Sequence, residues 1–296
     1  GLGSVPFTNE AAGGEIYNTI MYAAESIHEA GTIWVGTDDG LLHLTRNGGR
    51  TWKNVTPKGL DEGIVNSIEI SPHDPATVYF TLMRYKFGDL TPYIYKSTNY
   101  GKSWSKSTRG IPNDVFIRVV REDPNKKGLL YAGAENGIYL STDAGRSWNS
   151  FQLNLPTVPI TDLTIRNNDL IASTQGRSFW ILDDLTPLHE YSSKIKKEKI
   201  YLFNPRVSYR TNGGSSPSKT MGQNPPNGTV IHFYLNEKPK ADDQFQIDIL
   251  KQNKTIRTIS TKKGDPAKTF GQPYIAKTIN PKKGINRFIW DFKNDD

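Results

Sequence analysis

Carboxylates, arginines and aromatics are the residues of this sequence best suited to chemistry. In "STDAGRSW" (141–148) a carboxylate, Asp143, stands beside a base, Arg146, and an aromatic platform, Trp148, the residue types a sugar-processing site uses. Two carboxylate doublets, Asp38/Asp39 and Asp183/Asp184, are further candidates. A glycosidase holds two carboxyl groups roughly 5–10 Å apart across the sugar. Adjacent residues on a strand point to opposite faces, so neither doublet alone makes that dyad. The five histidines (His28, His43, His73, His189, His232) lack metal-ligand spacing, and there is no cysteine for a thiolate site or a disulfide. No phosphate-cradling, dinucleotide or nucleophile-elbow motif occurs. Neither a metal nor a cofactor is expected.

The octapeptide has two copies upstream, "TRNGGRTW" (45–52) and "STNYGKSW" (97–104). The template shared by the three copies is Ser/Thr-x-Asp/Asn-x-Gly-Arg/Lys-Ser/Thr-Trp, and it fits a hairpin loop. Thr45, Ser97 and Ser141 can bond the loop backbone, while Asn47, Asn99 and Asp143 accept from N–H groups about two residues on. Gly49, Gly101 and Gly145 supply a positive φ, and Trp52, Trp104 and Trp148 lodge between neighbouring sheets. Asn fills the acidic position in two copies. An amide cannot serve as a general acid, so the position reads as structure, and Asp143 is expected to tolerate Asn.

The elements around these loops repeat as well. Each copy follows a strand–turn–strand, as in "TIWVGTDDGLLHL" (32–44) and "LLYAGAENGIYL" (129–140), with another strand further upstream. A fourth unit, "ITDLTIRNNDLIASTQGRSFWILDDL" (160–185), keeps the strand rhythm without the template. Self-similarity at this period, with four strands per unit and Gly/Asn/Asp turns, describes β-propeller blades. The blades are expected at roughly 17–60, 65–110, 116–155 and 160–190, within a propeller segment spanning 1–190. Residues 191–228 read as a connector ending in a Gly/Ser/Pro-rich linker, and 229–296 as an antiparallel sandwich. Its strands are expected at 229–236, 244–251, 255–260 and 285–292.

The three octapeptides resemble the Asp boxes, or BNR repeats, of sialidases, two-propeller xyloglucanases and sortilin-type receptors. "GTIWVGTDDGLLHLTRNGGRTWKNVTP", "VVREDPNKKGLLYAG" and "GRSFWILDDLTPL" resemble more closely a group of large sortilin-like bacterial proteins, frequent in Bacteroidetes and often labelled glycosyl hydrolases. That resemblance implies further blades before this segment and an immunoglobulin-like sandwich after it, here expected to be truncated. It also implies an extracytoplasmic location, with the signal peptide outside this segment. The missing blades are expected from the rest of the protein or from another chain.

Charge is uneven. Residues 1–189 carry 17 basic and 20 acidic side chains, and residues 190–296 carry 20 and 10. The lysines are scattered with few interleaved aromatics, so a solvated surface is read rather than a nucleic-acid site. No apolar run is long enough for a transmembrane helix. A sialidase-like site would gather arginines around a carboxylate, and Arg84, Arg118, Arg121 and Arg177 are available. The expanded loop "MRYKFGDLTPY" (83–93), with Arg84, Tyr85, Phe87 and Asp89, joins "QGRSFW" (175–180), with Arg177 and Trp180, as the expected ligand-facing surface. A module binding protein, peptide or glycan is the expected function, with no catalysis. The alternatives are a glycoside hydrolase with a cleft on the propeller face and a subunit of a cell-surface complex.

Overall fold

The computed structural model describes residues 18–210, 227–240, 242–261, 267–269, 272–274 and 279–294. Most of the expected linker (211–228) and the start of the first blade therefore lie outside the described residues. The fold is all-β, in two compact units, Gly1–Leu182 and Asp183–Asp296. The first unit ends before the expected residue 190, so the short helix α1 (Thr186–Glu190) belongs to the second.

The first unit is a row of four blades. Blade one comprises β1 (Ile20–Glu25), β2 (Ile33–Thr37), β3 (Leu42–Thr45) and β4 (Lys53–Asn54). Blade two comprises β5 (Ile64–Ile70), β6 (Val78–Met83), β7 (Ile94–Ser97) and β8 (Ser105–Lys106). Blade three comprises β9 (Ile117–Glu122), β10 (Leu130–Ala134), β11 (Gly137–Ser141) and β12 (Asn149–Ser150). Each is an antiparallel meander in chain order. The fourth has three strands, β13 (Ile160–Arg166), β14 (Asp169–Thr174) and β15 (Phe179–Leu182). The four-strand expectation fails there for a local reason: without the octapeptide hairpin, no outer strand follows β15 within this sheet.

The blades pack through apolar side chains on β5, β6, β9 and β10. Every residue of β6 and of β10 is buried, as suits sheets covered on both faces. Trp34, Val65, Ile68 and Phe80 fill the space between blades one and two, and Tyr79, Ile94, Ile117, Val120 and Trp148 that between two and three. The turns after the inner strands add a recurring clasp. His28 Nε2 donates to the Ser71 carbonyl (3.0 Å), His73 Nε2 to that of Asp123 (2.7 Å), and Asn125 Nδ2 to Asn168 Oδ1 (2.8 Å). Two of the five histidines thus make the first two blade junctions, and Asn125 makes the third.

The octapeptide loops form as hairpins, with a wider reach than expected. Asp143 Oδ1 accepts from the Ser147 N–H (2.9 Å), four residues on rather than two, as Asn47 does from Thr51 and Asn99 from Ser103. The second side-chain atom explains why acid and amide interchange. Asp143 Oδ2 accepts from the Ser147 hydroxyl (2.6 Å), whereas the Nδ2 of Asn47 and of Asn99 donates to the matching hydroxyl (2.8 Å each). A hydroxyl does either. Burial alone would raise the Asp143 carboxyl, but hydrogen bonds from Ser147 and Ser141 outweigh it and hold the group below its usual range. Asp143→Asn should therefore change stability by less than about 0.5 kcal/mol, and Asp143→Ala should cost about 1–2 kcal/mol, as loss of a capping side chain does. Urea unfolding of the two variants beside the parent measures this.

The second unit pairs β16 (Ile200–Leu202), β17 (Thr229–Leu235) and β22 (Gly284–Trp290) in one antiparallel sheet, and β18 (Gln246–Lys251) with β19 (Lys254–Ser260) in another. β20 (Ala267–Thr269) and β21 (Gln272–Tyr274) form a separate hairpin. All four sequence-expected strands are present. The expected connector is in part sheet, because Ile200–Leu202 pairs with Phe233–Leu235. Phe233, Leu235 and Ile259 join the two larger sheets through one small core.

Candidate functional site

The expanded loop between β6 and β7 is closed on itself. Arg84 and Asp89 form an isolated bridge, and a tight 3-10 turn spans Tyr85–Phe87. The Arg84 guanidinium binds Asp89 Oδ2 (2.6 Å) and the Glu62 carbonyl (2.8 Å), and lies 3.4 Å from Asp61. Tyr93 donates its hydroxyl to Asp89 (2.7 Å). Burial pushes the Asp89 carboxyl up, but bonds from Thr91, Tyr93 and Arg84 prevail and bring it down to about 2. Across the blade boundary Tyr85 stacks on Phe116, with centroids 5.3 Å apart and planes 18° apart. Arg118 covers Phe116 at 5.1 Å and pairs with Glu135 through two bonds (3.0 and 2.8 Å). The result is a ledge on blades two and three with charges neutralised in place and Tyr85, Phe87 and Leu90 exposed.

Arg177 and Trp180 stand elsewhere, on the β14–β15 hairpin of blade four. Trp180 Nε1 donates to the Arg177 carbonyl (3.1 Å). Its ring lines a small apolar cavity of about 50 Å³ with Phe151, Leu155 and Leu170. The Arg84 ion pair with Asp89 stays within the 83–93 loop and the Tyr85 stack reaches blade three, whereas the Trp180 bond stays within its own hairpin. The four arginines do not converge on one carboxylate either, since Arg84, Arg118 and Arg121 have separate partners and Arg177 is exposed. Asp38 and Asp39 cap the turn between β2 and β3: Asp38 Oδ1 accepts from the Asn18 and Thr19 N–H groups (2.9 Å each), and Asp39 accepts from the Thr37 hydroxyl. Asp184 belongs to the second unit, where it pairs with His232 (3.4 Å). Burial would raise its carboxyl, yet bonds from His232 and Thr186 hold it at about 2.

A second polar centre lies where the inner strands meet. Each inner strand has a register shift near its start, at Ile20/Tyr22, Val65/Ser67, opposite Gly133/Ala134 on β9, and at Ile160/Asp162. Such bulges bend a strand and increase its twist. Beyond them, Glu69 and Arg121 occupy equivalent positions on neighbouring blades, opposite Tyr79 and Tyr131. Arg121 donates to the Ser67 hydroxyl (2.8 Å), the Tyr22 hydroxyl (3.1 Å), the Leu163 carbonyl (3.0 Å) and Asp162 Oδ1 (2.8 Å), and lies 3.7 Å from Glu69. One guanidinium thus touches the other three inner strands. Burial pushes the Glu69 carboxyl up to about 7, with Arg121 and the Glu122 N–H opposing and the Glu122 and Asp162 carboxylates adding to the rise. A cleft of about 340 Å³ opens beside this centre, lined by Tyr22, Glu25, Ile70, Pro72, Glu122 and Ile165 among others.

Sequence reasoning named Arg121 only as one of four available arginines and missed Tyr22, Glu69 and Asp162. Aligning the inner strands against their cross-strand partners would have exposed Glu69 and Arg121 as a matched pair, but that register depends on bulges the sequence does not announce. Among the described residues no helix is long and apolar enough to cross a membrane.

No protein-family model matches the chain, and no curated protein does. Solved structures similar to it include YCF48 bound to D1 peptide, at 19% identity and a TM-score of 0.43 over 56% of this chain and 52% of that one. The GH74 enzyme of Niastella koreensis is similar at 14% identity and 0.44, over 73% of this chain and 28% of the enzyme. An ancestral GH74 enzyme reaches 15% and 0.45, over 87% of this chain and 35% of the enzyme. This chain therefore spans about half of the first and about a third or less of the other two. The propeller assignment rests on the strand order of the blades themselves.

Proposed function

We propose that this chain is an extracytoplasmic binding module that takes a peptide or protein ligand on the aromatic ledge of blades two and three. The neutralisation of Arg84 by Asp89 and of Arg118 by Glu135 carries this reading. It leaves the aromatic faces of Tyr85 and Phe87 exposed beside two paired arginines, which suits apolar side chains and disfavours an anionic sugar. Tyr, Phe and Arg held by their own packing are the composition of interface hot spots. Peptide selection and a glycan array, run on the parent and on Tyr85→Ala/Phe87→Ala, test the proposal. Selected peptides should lose about tenfold or more in affinity on the double variant. Enrichment of glycans alone, or peptide binding insensitive to the substitutions, would sink it.

A partner that completes the propeller belongs to the same reading. Ile64, Ile117 and Ile160 begin their inner strands buried, whereas the equivalent Ile20 is 61% exposed, as is much of Trp52. We take this face of blade one as the seat of a further blade, from the rest of the protein or another chain.

The hydrolase reading has one observation in its favour. Glu69, raised to about 7, and Asp162 share the Arg121 guanidinium, and carboxyls in unlike environments can divide acid and base roles. Turnover of a sialoside or β-glucan that Glu69→Gln abolishes would favour it over binding alone.

A further inference from the structure

We propose that the cleft at the far ends of the inner strands binds an organic cation carried on an apolar stem, such as the lysine side chain of a peptide. This site is separate from the aromatic ledge and does not depend on it.

Charge is the first ground. Four carboxylates, Glu25, Glu69, Glu122 and Asp162, gather at or beside the cleft. Arg121 is committed to Glu69 and Asp162, and Lys96, whose charge acts on Glu122, donates to the Ala144 carbonyl (3.0 Å). Two cations against three carboxylates and a Glu69 that is partly protonated near pH 7 leave the cleft negative.

An unmade hydrogen bond is the second, independent ground. Glu122 lines the cleft and is only 4% exposed. Its Oε1 accepts from the Gly128 N–H (2.8 Å), but its Oε2 is buried without a hydrogen-bond partner. A buried carboxylate oxygen left in that condition is costly, and a donor delivered from the cleft relieves the cost. Glu69 is held against it, accepting from the Glu122 N–H through Oε1 (3.0 Å).

The walls choose the kind of cation. Ile27, Ile70, Pro72, Pro124 and Ile165 line the same cleft, so a ligand that enters head first slides an apolar stem past them. Among the described residues no three His, Cys, Asp or Glu side chains converge as a metal site. An ammonium on an alkyl chain fits both the acids and the apolar wall.

The test compares N-acetyl-lysine methylamide with its neutral isostere N-acetyl-norleucine methylamide, by calorimetry and ligand-observed NMR on the full chain. The lysine compound should bind at least about tenfold more tightly, as a lost charged partner implies. Glu122→Gln keeps the Oε1 acceptor for Gly128 and should lose about fivefold or more of that affinity at an unchanged unfolding midpoint. Should that variant fold poorly, Glu69→Gln, which keeps the acceptor for the Glu122 N–H, should show the same loss. The Tyr85→Ala/Phe87→Ala ledge variant should bind the lysine compound like the parent. No binding of the lysine compound, equal binding of the norleucine compound, or full affinity in the folded glutamine variant would each overturn the proposal.

Discussion

Arg121→Met should destabilise the propeller unit by about 3–5 kcal/mol, the usual cost of removing one partner from a buried ion pair. The guanidinium is mostly buried and bonds to groups from β1, β5 and β13. Its loss strands the Glu69 carboxylate and takes a donor from the Ser67 and Tyr22 hydroxyls. The Asp162 arm contributes little of this, since Asp162 is largely exposed and water replaces its partner. The same substitution should widen the pH dependence. Burial already raises the Glu69 carboxyl from its ordinary 4.5 to about 7, so between those values the folded chain holds a proton that the unfolded chain releases. Stability from this group is therefore complete below pH 4.5 and falls as pH rises through 7, by up to about 3 kcal/mol. The charged groups facing Glu69 are Arg121 and Glu122 on β9 and Asp162 on β13, with the Tyr79 hydroxyl beside it on β6. Removing Arg121 takes away the larger of the two groups that favour the charged form, the other being the Glu122 N–H, so the fall should extend to higher pH. Urea midpoints at pH 5 and pH 8 measure both effects. A loss under about 1 kcal/mol at pH 8, where Glu69 is mostly charged, would show that the centre is not what ties the blades together.

The three octapeptide tryptophans should differ sharply although their sequence contexts match. Trp148→Ala should cost about 3–5 kcal/mol and Trp104→Ala somewhat less, whereas Trp52→Ala should stay within about 0.5 kcal/mol. Trp148 is 2% exposed and donates Nε1 to the Ser107 carbonyl of the preceding blade (2.9 Å). Trp104 does the same to Val55 (2.8 Å) and meets Trp34 and Phe80 edge-on. Trp52 is 46% exposed, with no preceding blade among the described residues. Thermal unfolding of the three alanine variants under one condition decides the matter. Equal losses at Trp52 and Trp148 would mean that the residue stabilises its own hairpin rather than the joint between blades.

Much of the architecture was legible because it is local. Ser141, Asp143 and Gly145 interact within eight residues of chain, so composition and spacing suffice to read the loop, and three copies separate what is constant from what varies. The short strands show as alternating or continuous apolar runs for the same reason. The candidate surface was legible in part. The 83–93 insertion stands out as length and aromatic content, and the Arg84–Asp89 pair lies within it, but the Tyr85–Phe116 stack joins blades two and three. Arg177 and Trp180 looked like its neighbours only because chain position carries no information about which blade faces which.

By itself, then, the sequence determined an all-β chain of repeated hairpins, the polarity-tolerant cap at Asp143, Asn47 and Asn99, and the need for glycine at positive φ in each loop. Tertiary structure alone decided what those loops touch. A Cβ at Gly145 would come within 2.5 Å of the Ser107 hydroxyl and one at Gly101 within 2.9 Å of Val55, while Gly49 meets only its own tryptophan. Identical local chemistry thus becomes a joint in two blades and an open face in the first. Tertiary structure also gathered Tyr22, Ser67, Glu69, Arg121 and Asp162, spread over four inner strands. Hydrogen bonds inside a loop depend on a few neighbouring dihedral angles, which residue types bias directly. Contacts between blades depend on strand register and twist summed over whole sheets, and single bulges set those.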